Sequence, residues 1–155
     1  MNTVASMNTD ELRELYRELI VDHARTPRHF GTLDSATHTA DGINPLCGDK
    51  LHLHLQIDAD GIINDAAFEG TGCAISVASA SLMTETIIGL HRNDAMRWFE
   101  QVTDSLTGER KGIEHDKLNA LQGVREFPSR VKCATLAWHA LRCAIDNDTT
   151  ATKTE

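Results

Sequence analysis

The sequence has little of what marks a nucleic-acid-binding or membrane protein. Its 15 Lys and Arg against 23 Asp and Glu give a formal net charge of −8, and basic residues form no run. Surfaces that bind nucleic acid are normally basic, so this charge argues against one. No apolar run approaches the ~20 residues that a membrane helix needs, and Met1–Ser6 lack the pattern of a signal peptide. We expect a cytoplasmic protein with neither nucleic acid nor membrane as a partner.

The motifs of several enzyme classes are also missing. The sequence has no glycine-rich phosphate loop, no Ser-His-Asp or Cys-His pairing at fixed spacing, and no Cys-x-x-Cys pair of a zinc ribbon. At 155 residues the chain is long enough to bury a core without disulfides, and thiols stay reduced in the cytoplasm. Its four cysteines are therefore free to pack in the core or to carry chemistry.

Hydrophobic patterning predicts one α+β domain over residues 9–146, with residues 1–8 as a flexible start and residues 147–155 as a disordered tail. Leu51–Ile57 alternates strictly between apolar and polar residues, which is typical of a strand with one buried face. Asp58–Gly61 follows as a hairpin turn, after which the chain returns as a second strand. We expect a small antiparallel sheet of about three strands packed against four to five helices.

Caps, breakers and helical spacing place the other elements. They are a brief edge strand near Thr37–Ala40, a strand over Ile62–Phe68, and helices from Asn8 to Pro27, from about Cys73 to Gly89, over Asp94–Leu106, over Asp116–Leu121, and from Ser129, as its cap, to Asp146. The four longer helices carry apolar stripes that would pack onto a core. His23 and His29 flank Pro27 and are expected to cap the end of the first helix.

Three cysteines and one aspartate are the candidates for chemistry. Cys47 and Asp49 lie two residues apart in a polar loop. Cys73 follows a Gly-Thr-Gly turn, and Cys133 follows the start of the last helix, so helix N-termini would favour both thiolates. Three thiolates and one carboxylate suit a tetrahedral zinc ion. Our hypothesis is that these side chains converge on one metal and that the thiolates also handle sulfur.

Spacing alone leaves an alternative open, because free cysteines are often buried as small apolar residues. Cys47 argues against this interpretation, since Gly48 and Asp49 flank it in a polar loop. Cys143 fits it, because ten residues beyond Cys133 on one helix correspond to about 15 Å, too far to share a metal.

His52 and His54 share the outer face of the strand Leu51–Ile57. Two histidines at this spacing can chelate a metal. Such a pair is more often part of a solvated outer face, which is the interpretation that we favour.

Four stretches together form a recognisable set of motifs. They are Leu15–Gly31, Asn44–Asp49 with the sequence Asn-Pro-Leu-Cys-Gly-Asp, Gly70–Ser76 and Val131–Trp138. The set resembles the IscU/SufU/NifU-N family of iron–sulfur cluster assembly proteins, and the likeness runs from about Leu12 to Ile145. The family implies a compact α+β domain, with helices on one face of a small antiparallel sheet and a metal site at one end.

Within this family the chain resembles the SufU branch. Lys132 precedes Cys133 where IscU-type scaffolds carry a histidine, and Phe127–Val131 replaces their Leu-Pro-Pro-Val-Lys chaperone-recognition segment. The stretch between Gly89 and Arg130 is also longer. For SufU-like proteins, the resemblance implies a bound Zn²⁺ and persulfide sulfur received from a SufS-type cysteine desulfurase.

Carried over by position, the resemblance implies a ligand set of Cys47, Asp49, Cys73 and Cys133. Arg130 matches an arginine beside the site, where a cation would stabilise a released thiolate or persulfide. We expect Cys47 to be the persulfide acceptor, because a loop bounded by Gly48 can move.

Three functions are consistent with these residues. The first is a zinc-dependent sulfur acceptor that supplies a downstream SUF scaffold or apo iron–sulfur proteins. The second is a scaffold that binds iron or a transient [2Fe–2S] cluster and transfers it; one Asp among thiolates would make such a cluster labile. The third is a zinc-stabilised adaptor that activates a desulfurase without carrying sulfur. The protein would be sulfurtransferase-like as a persulfide acceptor and non-enzymatic as a scaffold.

Overall fold

The computed structural model describes residues 9–108, 113, 116–125, 127–147 and 152–153. In chain order the elements are α1 (Thr9–Arg25), β1 (His38–Asn44), β2 (Asp49–Ile57), β3 (Ile63–Thr71), α2 (Ala74–Ile87), α3 (Arg92–Thr107), α4 (Asp116–Asn119), a 3₁₀ helix (Ala120–Val124), α5 (Pro128–Ile145) and β4 (Thr152–Lys153). The predicted flexible start and the predicted cap Asn8 lie outside the described residues.

The sheet has the strand order β3-β2-β1-β4, and β1, β2 and β3 pair in antiparallel fashion. The strict alternation in β2 sends Leu51, Leu53, Leu55 and Ile57 to the buried face. Leu53 is opposite Ala40 of β1 and Phe68 of β3, so one row of the core crosses all three strands. The predicted α+β class and its antiparallel three-strand sheet are confirmed.

The first strand is longer than the predicted edge strand Thr37–Ala40. It runs to Asn44, which is directly opposite Asp49. The residues that β1 turns towards the helices are Ala40, Gly42 and Asn44, which are small or polar. This inward face carries no hydrophobic alternation, so the strand predicted from the sequence was too short.

A two-residue strand, β4, pairs in parallel with Gly42 and Ile43 of β1. It falls within the stretch 147–155, for which the sequence predicted disorder. For Thr152–Lys153 that prediction does not agree with the structure, because edge pairing with β1 satisfies backbone groups without any apolar side chain. Residues 148–151 and 154–155 lie outside the described part of the chain.

The long helices pack on one face of the sheet and on one another. α5 lies against β1 and β2, α2 contacts β3 and α5, and α1 packs on α2. Trp138 of α5 is fully buried and donates its indole N–H to Ser79 Oγ of α2 at 3.1 Å. This contact fixes two helices that each supply one of the candidate cysteines. No described helix is both long and apolar enough to cross a bilayer.

Two predicted caps differ from the structure. The last helix has Phe127 at its N-cap and Pro128 in its first turn, so Ser129 is not the cap. Proline is favoured there because its missing N–H would have no helical partner. His23 is fully buried and bonds Ser81 Oγ at 2.7 Å, while His29 bonds Thr84 Oγ1 at 3.1 Å. His23 therefore ties α1 to α2, and His29 ties the segment after α1 to α2. Neither histidine caps α1.

Candidate metal centre

Cys47 lies on the short hairpin between β1 and β2. The pairing of Asn44 with Asp49 closes this hairpin, and Pro45, which follows Asn44, favours the extended backbone that ends the strand. Gly48 has a φ of 72°, a conformation that other residues adopt only at a cost. Cys47 is exposed. The hairpin therefore presents one thiol at the surface of the molecule.

Asp49 is the first residue of β2 and is buried, not part of the loop as the sequence suggested. Its Oδ1 accepts the backbone N–H of Cys73 at 2.8 Å. A Cβ at Gly72 would lie 2.3 Å from that oxygen, so only glycine leaves room for this contact. The close approach of the Asp49 carboxylate thus requires the second glycine of the Gly-Thr-Gly turn.

Cys73 is the N-cap of α2, where its Sγ accepts the backbone N–H of Ser76 at 3.4 Å. Cysteine is an uncommon N-cap, since an oxygen acceptor is normally preferred there. The helix N-terminus favours a negative sulfur at this position. Cys73 Sγ is also 3.9 Å from Asp49 Oδ2, which joins it to the carboxylate.

Cys133 is buried on α5, and its Sγ is 3.5 Å from the amide nitrogen of Asn44. Because α5 begins at Pro128, Cys133 lies beyond the first turn, where the effect of the helix dipole has faded. The expectation that a helix end lowers its pKa is therefore wrong. Burial, followed by hydrogen bonding with Asp49, Cys73 and Cys47, raises the pKa of the Cys133 thiol.

These side chains meet at one point. Ligand atoms of Cys47, Asp49 and Cys133 lie within 4.8 Å of one another, and Cys73 adjoins them through Asp49. Asp49 is only 1% exposed, and none of the described ion pairs includes it. A buried carboxylate beside three thiols is costly without a cation. The donor set, three sulfurs and one oxygen, fits a tetrahedral Zn²⁺.

Arg130 lies at the same end of α5 as Cys133. Its guanidinium stacks over the Phe127 ring at 4.3 Å. Burial raises the pKa of Tyr16, Arg130 lowers it, and the nearby thiols of Cys73 and Cys133 raise it further. Tyr16 is therefore within electrostatic range of both Arg130 and the thiols of Cys73 and Cys133.

The remaining candidates lie outside the cluster. Cys143 is 2% exposed within the hydrophobic core. On the outer face of the sheet, His52 contacts Asp41 and His54 bonds Glu69 at 3.2 Å. Among the described residues, no group of converging metal-ligand atoms includes these two histidines. Each histidine is instead paired with a carboxylate on a neighbouring strand.

Two residues beside the cluster were missed at the level of sequence. Asn44 belongs to the motif that contains Cys47, and its position before a proline gave no sign that its side chain points inward. Tyr16 falls on the apolar face of α1, where it is indistinguishable from a core aromatic. For Asn44 a usable signal exists in retrospect: a polar residue at an inward position of a strand next to a candidate ligand.

Comparisons with known proteins identify the family of this chain. The family model of the NifU-like N-terminal domain matches residues 15–154, nearly the whole chain. The chain belongs to this family. All the stretches Asn44–Asp49, Gly70–Ser76 and Val131–Trp138 fall within the matched region, so the four clustered side chains are part of the family domain.

Relatives in the family carry two kinds of name. The chain is 44% identical over 136 residues to the zinc-dependent sulfurtransferase SufU of Bacillus subtilis, covering 86% of this chain and 91% of that protein. It is 37% identical to the iron–sulfur cluster assembly scaffold protein IscU of Streptococcus pyogenes, covering 94% and 91%. A solved structure from Fervidobacterium islandicum, described as a SUF-system scaffold protein, superposes with a TM-score of 0.77 at 32% identity, covering 86% and 98%.

Proposed function

We propose that this protein is a zinc-dependent sulfur acceptor in iron–sulfur cluster assembly of the SUF type. One observation carries the proposal: the Cys47 and Cys133 thiols and the Asp49 carboxylate converge, with Cys73 Sγ 3.9 Å from Asp49, and Cys47 is exposed on a hairpin. The likeness to a zinc-dependent sulfurtransferase supports it. Free thiols at such a site suit the cytoplasm, where they stay reduced.

The Zn²⁺ would be held by Cys47, Asp49, Cys73 and Cys133. When bound, it would supply the positive charge that keeps these cysteines as thiolates at neutral pH. The protein's own contribution is to bring four side chains from three distant segments to one rim. Asp49 is a hard oxygen donor among soft sulfur donors, which suits a site where one ligand exchanges.

The sulfur transfer that we propose is a thiolate exchange on a persulfide. A SufS-type cysteine desulfurase presents a cysteine persulfide, and the Cys47 thiolate attacks its outer sulfur. A bond forms between Cys47 Sγ and that sulfur, while the original sulfur–sulfur bond breaks and the donor cysteine leaves as a thiolate. The exchange needs no external oxidant or reductant, because one persulfide replaces another.

Two exposed apolar side chains, one next to Cys47 and one next to Pro128 at the start of α5, support a protein partner. Leu46, next to Cys47, is 68% exposed, and Phe127, which stacks with Arg130, is 43% exposed. An exposed leucine beside a reactive thiol is typical of a recognition surface. In this proposal Arg130, three residues before Cys133 on α5, supplies the cation that stabilises the negative sulfur on Cys47.

A scaffold for a [2Fe–2S] cluster is the second candidate, favoured by the likeness to proteins named IscU. The same four side chains would hold iron, and the single Asp ligand would leave the cluster labile for transfer to apo iron–sulfur proteins. Freshly isolated protein distinguishes the two candidates. Colourless protein with about one zinc per chain favours sulfur transfer, whereas brown protein with charge-transfer absorption favours the scaffold.

The role of Cys47 is tested with a SufS-type desulfurase and cysteine as substrate. The wild-type chain should stimulate turnover, and Cys47→Ser should abolish the stimulation. Cys143→Ser is the matched control, because it makes the same change at a buried cysteine outside the cluster. Unchanged stimulation by Cys47→Ser would sink the assignment. An adaptor that carries no sulfur predicts that persulfide never forms on this chain.

A further inference from the structure

Asn44 is a buried polar residue inside the metal centre that is not itself one of the candidate ligands. It is the last residue of β1, and its relative exposure is 0%. Asparagine is normally a surface residue, and burying its amide is costly unless hydrogen bonds compensate. Its side-chain oxygen has no partner among the described residues. A residue buried at this cost next to a site calls for a function there.

The amide nitrogen of Asn44 contacts two of the candidate ligands. It is 3.3 Å from Asp49 Oδ2 and 3.5 Å from Cys133 Sγ. A side-chain amide has two N–H donors, so one nitrogen can serve both acceptors. Asn44 thereby connects the start of β2 with α5, two segments that are far apart along the chain.

The contacts of Asn44 complete a chain of hydrogen bonds through the centre. Asp49 accepts from Asn44 on one oxygen and from the Cys73 backbone N–H on the other. Cys73 Sγ in turn accepts from the Ser76 N–H. Asp49, Cys73 and Cys133 are therefore each held by an N–H donor of the protein. Cys47 is the exposed member of the set, on the hairpin beyond Asn44.

We infer that Asn44 is a positioning residue that keeps Asp49 and Cys133 in place as metal ligands, so that Cys47 is the ligand that reacts. An N–H donor draws electron density from a sulfur, which makes that thiolate a weaker nucleophile and a better-fixed ligand. The inference rests on the proposed function, since it explains which of the clustered thiols is free to take sulfur.

The test uses the full chain loaded with Zn²⁺, with Asn44→Asp as the variant. Aspartate keeps the shape of the side chain but removes both N–H donors. The matched control is Asn64→Asp, since the amide of Asn64 likewise bonds an aspartate, Asp58, at 3.0 Å on the other hairpin of the sheet. Zinc affinity is measured by competition with a chromophoric chelator, and the order of cysteine alkylation is read by peptide mass spectrometry.

We expect Asn44→Asp to bind zinc about 10- to 100-fold more weakly, the usual effect of removing a partner of a metal ligand. Alkylation of the loaded wild-type chain should fall on Cys47 first, whereas the variant should lose this preference and also react at Cys133. Asn64→Asp should behave like wild type in both measurements. Wild-type affinity and alkylation order in Asn44→Asp would overturn the inference.

Two further measurements test the inference even if Asn44→Asp does not fold. Asn44→Ser retains a smaller donor and should restore part of the affinity. In the wild-type chain loaded with a spin-active cadmium isotope, the Asn44 side-chain amide protons should show coupling to the metal through Cys133 sulfur. Absence of that coupling would also overturn the inference. None of these readouts involves a desulfurase, so they separate a failure of this inference from a failure of the proposed sulfur transfer.

Discussion

The two halves of the metal centre are built differently. Asp49, Cys73 and Cys133 lie on β2, at the cap of α2 and on α5, and protein N–H groups hold all three. Cys47 lies on an exposed hairpin, where a Cβ added to Gly48 would meet no atom within 4 Å beyond its chain neighbours. In the first half Asp49 and Cys133 are buried and Cys73 is half-buried, whereas Cys47 of the second half is exposed at the rim.

This difference suggests that one half of the centre retains the metal and the other half reacts with a partner protein. A ligand fixed by buried helices can retain a metal, but it cannot move to meet a partner protein. A ligand on a hairpin can leave and return with little change elsewhere, because few contacts oppose its motion. Our predictions test this division by weakening one half at a time.

The largest effect should come from the buried half of the centre. Cys133→Ser removes a ligand that the fold holds in place, so zinc affinity should fall by more than the ~100-fold upper range for residues that only support a ligand. Cys47→Ser should lose less affinity, because Asp49, Cys73 and Cys133 stay in place. Chelator competition measures both variants. Equal losses would contradict the division between the two halves.

The contact between α2 and α5 should come next in effect. Ser79→Ala deprives the buried Trp138 N–H of its acceptor, which costs about 1–3 kcal/mol of unfolding free energy. Thr86→Ala is the control, since Thr86 Oγ1 bonds only Leu82 O of its own helix among the described contacts. Urea unfolding of the two variants compares them. A stability of Ser79→Ala equal to that of Thr86→Ala would show that this contact does not hold the helices together.

The free energy of unfolding should also depend on pH, because His23 titrates. Burial is the main cause that lowers the pKa of His23, and the positive charges of Arg28 and Lys117 lower this pKa further. The carboxylates of Glu85 and Asp22 raise it by a smaller amount. The unfolded chain therefore binds the proton first as pH falls below about 6.5, and stability decreases until the folded pKa is passed. The contribution is at most about 1.4 kcal/mol per pH unit.

His23→Gln removes this titration and leaves the metal ligands unchanged. Its unfolding free energy between pH 8 and pH 5 should therefore decline less steeply than that of the wild type. His139, whose pKa burial also lowers, accounts for part of the slope that remains. Identical slopes for wild type and variant would assign the acid sensitivity to other groups.

The smallest effect on stability should come from the hairpin itself. Gly48→Ala and Gly89→Ala each place a side chain at a positive φ, 72° and 93°, with open space around the new Cβ. Each should cost about 1 kcal/mol of unfolding free energy. Only Gly48→Ala should change the rate at which Cys47 is alkylated. The same alkylation rate in both variants would mean that the hairpin backbone does not govern the access of reagents to Cys47.

Much of this arrangement follows from the sequence, and the physical reasons for the exceptions are clear. The alternation in Leu51–Ile57 and the stripe on the last helix predicted the sheet and α5, because burial leaves a periodic trace. The end of β1 left no such trace, since Ala40, Gly42 and Asn44 face inward without being large and apolar. The cap of α5 was misplaced by two residues, because Pro128 can begin a helix as well as interrupt one.

The candidate site was predictable as a set of residues but not as a geometry. The chemistry of three cysteines and an aspartate indicated a metal, and the family resemblance supplied the same set. Neither could indicate that Asp49 is buried on a strand, that Cys133 lies beyond the first turn of its helix, or that Asn44 connects them. These properties depend on contacts between segments that are far apart in the chain.

Peptide mapping by mass spectrometry after incubation with a SufS-type desulfurase and cysteine tests the central claim most directly. The zinc-loaded chain should carry one additional sulfur atom on the peptide that contains Cys47, while the peptides of Cys73, Cys133 and Cys143 remain unmodified. Persulfide on Cys133 or Cys73 in place of Cys47, or on no cysteine at all, would contradict the account.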